Sequence, residues 1–71
     1  MTSKTILDKD TATKLVAVMI RADYPCTSCC TNLIELALVM WPETNWEEAV
    51  AGLEDAWDRN FAKECLERAR S

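Results

Sequence analysis

The stretches LVAVMI at residues 15–20 and LIELALVMW at residues 33–41 decide the fold of this chain. Each apolar run lies in a segment of helical character, and neither run leaves one side of its helix polar. A helix that is apolar all round must be covered all round. Because a chain of 71 residues has few other elements to provide that cover, the two runs predict association with a second copy or with another protein.

Length and composition predict a single small domain, 1–71. A domain of this size buries only about 60% of the surface that its unfolded chain exposes, so its stability is marginal. Hydrophobic residues make up 49% of the chain and include three tryptophans. We therefore expect a homodimer, whose interface would add the missing burial.

The charge balance is acidic and argues against direct binding of nucleic acid. Eight Lys and Arg face twelve Asp and Glu, which gives a net charge of -4, and histidine is absent. Binding to phosphates needs a basic stripe on the surface. The basic residues of this chain are scattered instead, so a nucleic-acid partner is not expected.

Membrane and export signals are also missing from the sequence. The longest apolar run has nine residues and contains Glu35, whereas a helix needs about 20 residues to cross a bilayer. Residues 1–10 lack the hydrophobic stretch of a secretory signal. We therefore expect no membrane partner and a cytoplasmic location, the host cytoplasm for a phage-encoded protein, with the cysteines mostly reduced.

Three helices are predicted, at 10–22, 28–40 and 46–70, after a flexible segment at 1–7. Pro25 and Pro42 separate them, since the residue before a proline avoids helical backbone angles. Asn45 followed by Glu48 is a start of the capping-box type, and no proline interrupts residues 46–70. The predicted fold is an all-α, hairpin-like bundle of three helices with a long C-terminal helix, assembled as a homodimer.

Two apolar stripes follow one another along the third predicted helix. The first runs from Trp46 to Phe61 with the spacing of a face packed on the core. The second is rotated by more than about 100°, at about 100° per residue. One straight helix cannot present both stripes to one core, so we expect the second stripe to form the dimer interface. Its residues are Ala62, Cys65, Leu66 and Ala69. The alternative is a break near Asn60 that starts a fourth short helix.

Gly52 is the only glycine of the chain and lies between Ala49 and Ala56, on nearly the same side of the third predicted helix. Without a side chain it would let another helix approach closely. The alternative is a weak point of the helix, less favourable than alanine by about 1 kcal/mol.

The cysteines are the one group whose spacing suggests chemistry, and they are Cys26, Cys29, Cys30 and Cys65. A zinc or iron–sulfur site would need all four as ligands, although two are adjacent and no histidine can substitute. A redox function would use Cys29 and Cys30 in the first turn of the second helix, where the helix dipole lowers a thiol pKa. The βαβ context of thioredoxin-like proteins is missing, however.

We favour a third interpretation without a cofactor, in which Cys29, Cys30 and Cys65 are small buried hydrophobic residues. A disulfide formed in oxidising buffer is the remaining alternative.

Catalytic groups are not recognisable elsewhere, so an enzyme is not predicted. A histidine-based dyad is impossible, and phosphate-binding loops need more than one glycine. Glu35 lies alone in an apolar run, where burial would raise its pKa. We expect instead that it marks the solvent edge of the second helix or pairs with a basic residue such as Arg21.

An acidic face on the third predicted helix is a candidate for partner binding. Glu47, Glu54 and Asp58 fall within a narrow arc opposite the tryptophan stripe. Such a face is either plainly solvated or an anionic docking surface for a basic protein groove.

The aromatic residues divide between core and partner binding. Tryptophan is enriched at binding hot spots and also fills the cores of small domains. Trp46 and Trp57 lie on the first stripe, so we expect both in the core. Trp41 and Tyr24 stand beside prolines at the two corners between helices, so we expect these two to be exposed to a partner.

Together these features predict a small cytoplasmic adaptor or inhibitor that docks on a larger protein with a basic or apolar groove and blocks or redirects it. Short acidic helical proteins of this kind are common among phage and mobile-element products, an analogy of size and style. One alternative is a metal or redox module built on the cysteines. A weaker one is a small transcriptional regulator, for which the second helix offers only Asn32 among apolar residues.

Overall fold

A computed structural model describes residues 6–71, and this part of the chain is helical without a strand. The helices are α1 (Lys9–Asp23), α2 (Thr27–Met40), α3 (Trp46–Ala51) and α4 (Ala56–Arg70). The predicted all-α class is therefore confirmed. None of the helices in the described range is long and apolar enough to span a membrane.

The segment before α1 is tied to the far corner of the fold. The predicted flexible segment 1–7 lies outside the described residues except for its last two. The backbone N–H of Leu7 donates to Oγ1 of Thr44 at 2.8 Å. Because Thr44 is 5% exposed, this hydrogen bond fixes the entry to α1 against the corner between α2 and α3.

Local capping sets where α1 and α2 begin, and both helices match their predicted ranges within one residue. Oδ2 of Asp8 accepts the N–H of Thr11 at 3.0 Å, which satisfies a free donor of the first turn. Sγ of Cys26 accepts the N–H of Cys29 at 3.2 Å at the start of α2. The turn between the two helices contains the cis peptide bond between Tyr24 and Pro25.

The continuous third helix is the prediction that the structure overturns. The chain leaves the helical conformation after Ala51 and re-enters it at Ala56. Gly52 ends α3, and Oδ2 of Asp55 accepts the N–H of Asp58 at 3.0 Å to cap α4. The break therefore lies at residues 52–55 and not near Asn60.

An arginine holds the segment between α3 and α4 in place. Nη1 of Arg59 donates to the carbonyl oxygens of Leu53 and Glu54 at 2.6 and 3.0 Å. These two carbonyls have no partner inside a helix, so the guanidinium supplies the hydrogen bonds that the interruption removes. The Leu53 side chain is 6% exposed and anchors the segment to the core.

The change of direction at this segment brings the second apolar stripe into the chain's own core. Ala62, Cys65 and Leu66 are 0%, 0% and 4% exposed, since α4 packs mainly on α2 while α3 packs on α1. The α3 part of the first stripe and the second stripe thus face one core from two short helices, whereas Ala56 and Trp57 of the first stripe are exposed on α4. The expectation that the three buried residues meet a second copy is wrong for this fold, because their side chains are already covered; Ala69 is partly buried beside them.

Trp46 is the largest fully buried side chain and lies at the centre of the fold, as predicted. Its Nε1–H donates to the carbonyl oxygen of Trp41 at 3.2 Å. The core around it draws on all four helices and consists of Ala12, Val16, Met19, Ile20, Cys30, Ile34, Ala37, Ala49, Val50, Leu53, Ala62, Cys65 and Leu66.

Candidate functional site

Three aromatic rings cluster where the α1–α2 turn meets the start of α4. The ring centroids of Tyr24 and Trp57 lie 4.8 Å apart in an edge-to-face arrangement, and Trp57 stacks on Phe61 at 5.4 Å. Tyr24 is 52% exposed and Trp57 is 51% exposed. The cluster holds its rings in fixed positions through aromatic contacts while leaving two of them open to solvent.

The exposed rings line a cavity that continues into an acidic groove. Tyr24 and Trp57 share the walls of a cavity of about 330 Å³ with Arg21 and Asp58. Arg21 and Asp58 also line a neighbouring groove between α1 and the α3–α4 segment. The residues that form this aromatic–acidic surface are Arg21, Tyr24, Glu54, Asp55, Trp57 and Asp58.

The aromatic–acidic surface carries net negative charge. Glu54, Asp55 and Asp58 bring three negative charges against one positive charge from Arg21, which leaves -2. A nearby Asp10–Lys14 pair, with 3.1 Å between Oδ2 and Nζ, adds no net charge. Neither Glu54 nor Asp58 forms an ion pair within residues 6–71. These two carboxylates therefore keep their charge available to an external cation.

The structure brings together some of the predicted partner-binding residues and separates others. Tyr24 and Asp58 line one cavity, and Glu54 lies in the groove that Asp58 shares. Glu47 lies apart on α3, where its carboxylate binds the guanidinium of Arg70. Trp41 is also apart and is half-buried against the core.

Of the residues of this surface, the sequence did not assign Arg21, Asp55 or Trp57 to partner binding, and Trp57 is the one that it placed elsewhere. It was expected in the core because it follows Trp46 on the stripe of a continuous helix, and that expectation is wrong. Trp57 and Phe61, four residues apart, are neighbours on any helix. This pair and the adjacent acidic residues are the sequence signal that could have located the site.

A second feature is an exposed apolar face on α1 and α2. Val18, Leu36, Val39 and Met40 are 63%, 59%, 75% and 55% exposed. Val18, Leu36 and Met40 line a groove between the two helices together with Leu33, and Val39 lies beside it on α2. The apolar runs at 15–20 and 33–41 are thus covered on one side by the core and left open on the other. This apolar α1–α2 face does not suit DNA readout, which relies on polar contacts to base edges.

The four cysteines divide into an exposed pair and a buried pair. Cys26 and Cys29 are exposed and joined by a disulfide, with their Cα atoms 5.3 Å apart. Cys30 and Cys65 are free thiols, each 0% exposed. The expectation of a buried residue therefore holds for Cys30 and Cys65 and is wrong for Cys29, which the start of α2 turns toward solvent.

The buried thiols are held in their protonated form. Burial, with the neighbouring Cys65 and Asp23, raises the pKa of Cys30 from 9.0 to about 11. Burial also raises the pKa of Cys65, against the effect of a hydrogen bond with Thr31. Sγ of Cys30 lies 3.6 Å from the carbonyl oxygen of Met19. Thiols in such surroundings are weak nucleophiles.

Neither a metal site nor a buried acidic group is found among the described residues at the predicted positions. Within residues 6–71, no group of three or more His, Cys, Asp or Glu side chains is placed to hold a metal ion. Glu35 is exposed on α2, at the solvent edge where it was expected. Comparison with protein-family models, curated proteins and solved structures finds no match to this chain.

Proposed function

We propose that this protein is a small interaction module that docks on a basic segment of a larger protein and thereby blocks or redirects that protein. The observation that carries the proposal is the pairing of two half-exposed aromatic rings, Tyr24 and Trp57, with the unpaired carboxylates of Glu54 and Asp58. The proposal includes a cytoplasmic setting and, by analogy of size and style, a phage or mobile-element accessory role.

The chemistry of the aromatic–acidic surface favours a basic occupant. A lysine or arginine side chain binds the face of Trp or Tyr by cation–π attraction, worth about 0.5–1 kcal/mol at exposed sites. The carboxylates attract the same cation over a longer range and steer it toward the rings. Tyr and Trp are also common hot-spot residues of protein interfaces. Arg21 opposes a cation at one edge of the cavity, so we place the contact on the side of Asp58.

Binding of a short fluorescent peptide rich in lysine and arginine tests this proposal. We expect the peptide to bind at physiological salt and a peptide of equal length rich in glutamate not to bind. Trp57→Ala and Asp58→Lys should each weaken binding by about fivefold or more, since the residues that matter at an interface cost more than about 1 kcal/mol when they are changed. Fluorescence anisotropy measures both effects.

Glu67→Lys is the matched control for Asp58→Lys. It makes the same change of charge on α4, nine residues further along and therefore on the opposite side of the helix at about 100° per residue. At physiological salt the Debye length is about 8 Å, so the control should change binding little. Two outcomes would refute the proposal, because either would show that net charge alone holds the peptide. One is equal weakening by the two charge reversals, and the other is a Trp57→Ala variant that binds the peptide as tightly as the native protein.

We propose, as a second activity, that the apolar α1–α2 face binds a second copy of this chain. The four exposed side chains of this face offer roughly 400 Å² of apolar surface, within the range of the largest patch on an ordinary monomer, and such patches are often functional. A standard interface buries about 800 Å² per partner, of which somewhat more than half is apolar. The face therefore comes close to the apolar area that a dimer of standard size needs.

The charges beside this face favour a second copy over an unrelated occupant. Arg21 and the Asp10–Lys14 ion pair lie along one flank of Val18 on α1, which leaves that flank one net positive charge, and Glu35 precedes Val39 by one turn on α2. A two-fold axis parallel to the helices places α1 of one copy over α2 of the other. The cationic flank of one copy then meets the anionic flank of its partner. A charge introduced at Leu36 should therefore reduce self-association, which sedimentation velocity measures.

A further inference from the structure

The exposed cysteine pair stands at the first turn of α2. Cys26 caps the helix, and its Sγ accepts the N–H of Cys29 at 3.2 Å. The first turn of α2 contains no acidic residue. Both cysteines are exposed, so a small thiol in solution can reach either sulfur.

We infer that Cys26 and Cys29 form a redox-active dithiol–disulfide pair that exchanges with thiols and disulfides of the glutathione class. This inference does not depend on the proposed binding of a basic partner. It assigns Cys26 as the attacking sulfur and Cys29 as the sulfur that closes the ring.

The surroundings of Cys26 suit its sulfur to the attacking role. Its Sγ receives a backbone N–H and lies at the positive end of the α2 dipole. Both effects stabilise a negative sulfur. Asp23, the nearest acidic residue before Cys26 in the sequence, acts against both effects. The amide hydrogen bond nevertheless goes to the sulfur of Cys26, whereas the sulfurs of Cys30 and Cys65 contact carbonyl oxygens.

The disulfide closes a short ring. In the chain-entropy account, a ring of four residues constrains the unfolded chain less than a long loop would. The ring also lies within one helical turn, so it links no two elements of the fold. Disulfides in the cytoplasm, the location we propose, are usually transient and catalytic or redox-sensing.

The exchange balances as two successive substitutions at sulfur. In the reduced protein, the Cys26 thiolate attacks one sulfur of a disulfide RSSR, forms the mixed disulfide Cys26–S–S–R and expels RS⁻. Cys29 then loses its proton to solvent and attacks Sγ of Cys26, which closes the ring and expels the second RS⁻. The two RS⁻ groups take up the protons that the protein thiols lost. Protein dithiol and RSSR thus become protein disulfide and two RSH, and the reverse sequence reduces the pair.

Equilibration in mixtures of reduced and oxidised glutathione tests the exchange. After acid quenching, alkylation and intact-mass measurement, we expect the pair to pass from oxidised to reduced as the proportion of reduced glutathione rises. Fully reduced native protein should take up two alkyl groups, and denatured protein four, because Cys30 and Cys65 are buried. A pair that stays in one state across the whole range overturns the inference.

Two matched variants test the assignment of roles. Cys29→Ser leaves Cys26 as the exposed thiol, and Cys26→Ser leaves Cys29; both positions are on the surface, so circular dichroism should show both variants folded. At pH 7, the thiol of Cys29→Ser should react with iodoacetamide at least about tenfold faster than that of Cys26→Ser, because a larger fraction of it is thiolate. Equal rates, close to that of an ordinary free cysteine, would refute the role given to Cys26.

Discussion

Gly52 allows α1 to approach α3 closely, as its position in the sequence suggested. A Cβ atom at Gly52 would lie 2.6 Å from Oγ1 and 3.3 Å from Cγ2 of Thr13. The same Oγ1 donates to the carbonyl oxygen of Ala49 at 2.7 Å. Gly52 therefore leaves the space that Thr13 occupies when it forms its hydrogen bond with Ala49 across the two helices.

We expect Gly52→Ala to lower the free energy of unfolding by about 1–2 kcal/mol, because Thr13 must move and weaken its hydrogen bond. Urea denaturation measures the loss. In a Thr13→Ala background both contacting side-chain atoms are gone, so the same substitution should cost less than about 0.5 kcal/mol. Equal losses in the two backgrounds would mean that the contact with Thr13 is not the cause.

The burial of two tryptophans, Trp41 and Trp57, was predicted wrongly from the sequence. A helical wheel places Trp57 with Trp46 only if one helix contains both, and the break at residues 52–55 removes that relation. Trp41 was expected to be exposed beside Pro42, but its side chain is half-buried against the core, and its carbonyl oxygen accepts the Trp46 indole N–H. The burial of Trp46 was predicted correctly. Trp46 begins α3, so its position on the buried face does not depend on whether the helix continues past residue 51.

The helices differ in how far local sequence determines them. α1 and α2 each end at a proline-containing corner, so their ranges could be predicted within one residue. The N-cap Asp8 of α1 is a usual capping residue, whereas the cysteine that caps α2 is not one that sequence preferences indicate. α3 has six residues, and isolated helices shorter than about 12 residues are marginal in water. Contacts with α1, such as that between Thr13 and Ala49, stabilise it, and the sequence of α3 does not reveal those contacts.

The sign of the effect of Asp55→Ala distinguishes a broken helix from a continuous one. As the N-cap of α4, Asp55 satisfies the Asp58 N–H, so we expect the substitution to lower the free energy of unfolding by about 1 kcal/mol. In the middle of a continuous helix the same change would raise it by about 0.5 kcal/mol. Thermal and urea unfolding report the sign directly.

Asp55→Ser is the matched control, because serine is also a good N-cap. It should retain most of the stability of the native protein. Increased stability in Asp55→Ala, with a loss in Asp55→Ser, would contradict the interruption between α3 and α4.

Within residues 6–71, four short helices enclose one core and still leave the apolar α1–α2 face open. The excess of apolar surface was predicted from the two runs alone, since no arrangement within so short a chain covers them completely. Its location was predicted wrongly, on the second stripe of the third helix. That stripe is buried because the break lets α4 fold back onto α2, an outcome of tertiary packing.

Sedimentation velocity over a range of protein concentrations tests the role of this face. We expect the native protein to shift from monomer to dimer as concentration rises, and Leu36→Glu to remain monomeric, because a dimer would bury an unpaired carboxylate. Lys63→Glu introduces the same side chain at an exposed position of α4, away from this face, and should leave the dimer intact. A native protein that stays monomeric throughout refutes self-association, and another protein then becomes the candidate occupant of the face.

The corner at residues 44–47 holds both ends of the described chain. Leu7 is bound there through Thr44, and Arg70 through Glu47, while Leu66 anchors the last turns of α4 in the core. Proteases act most readily on frayed termini and loose loops. We therefore expect cleavage near Leu7 or near Arg70 to require that these contacts open first.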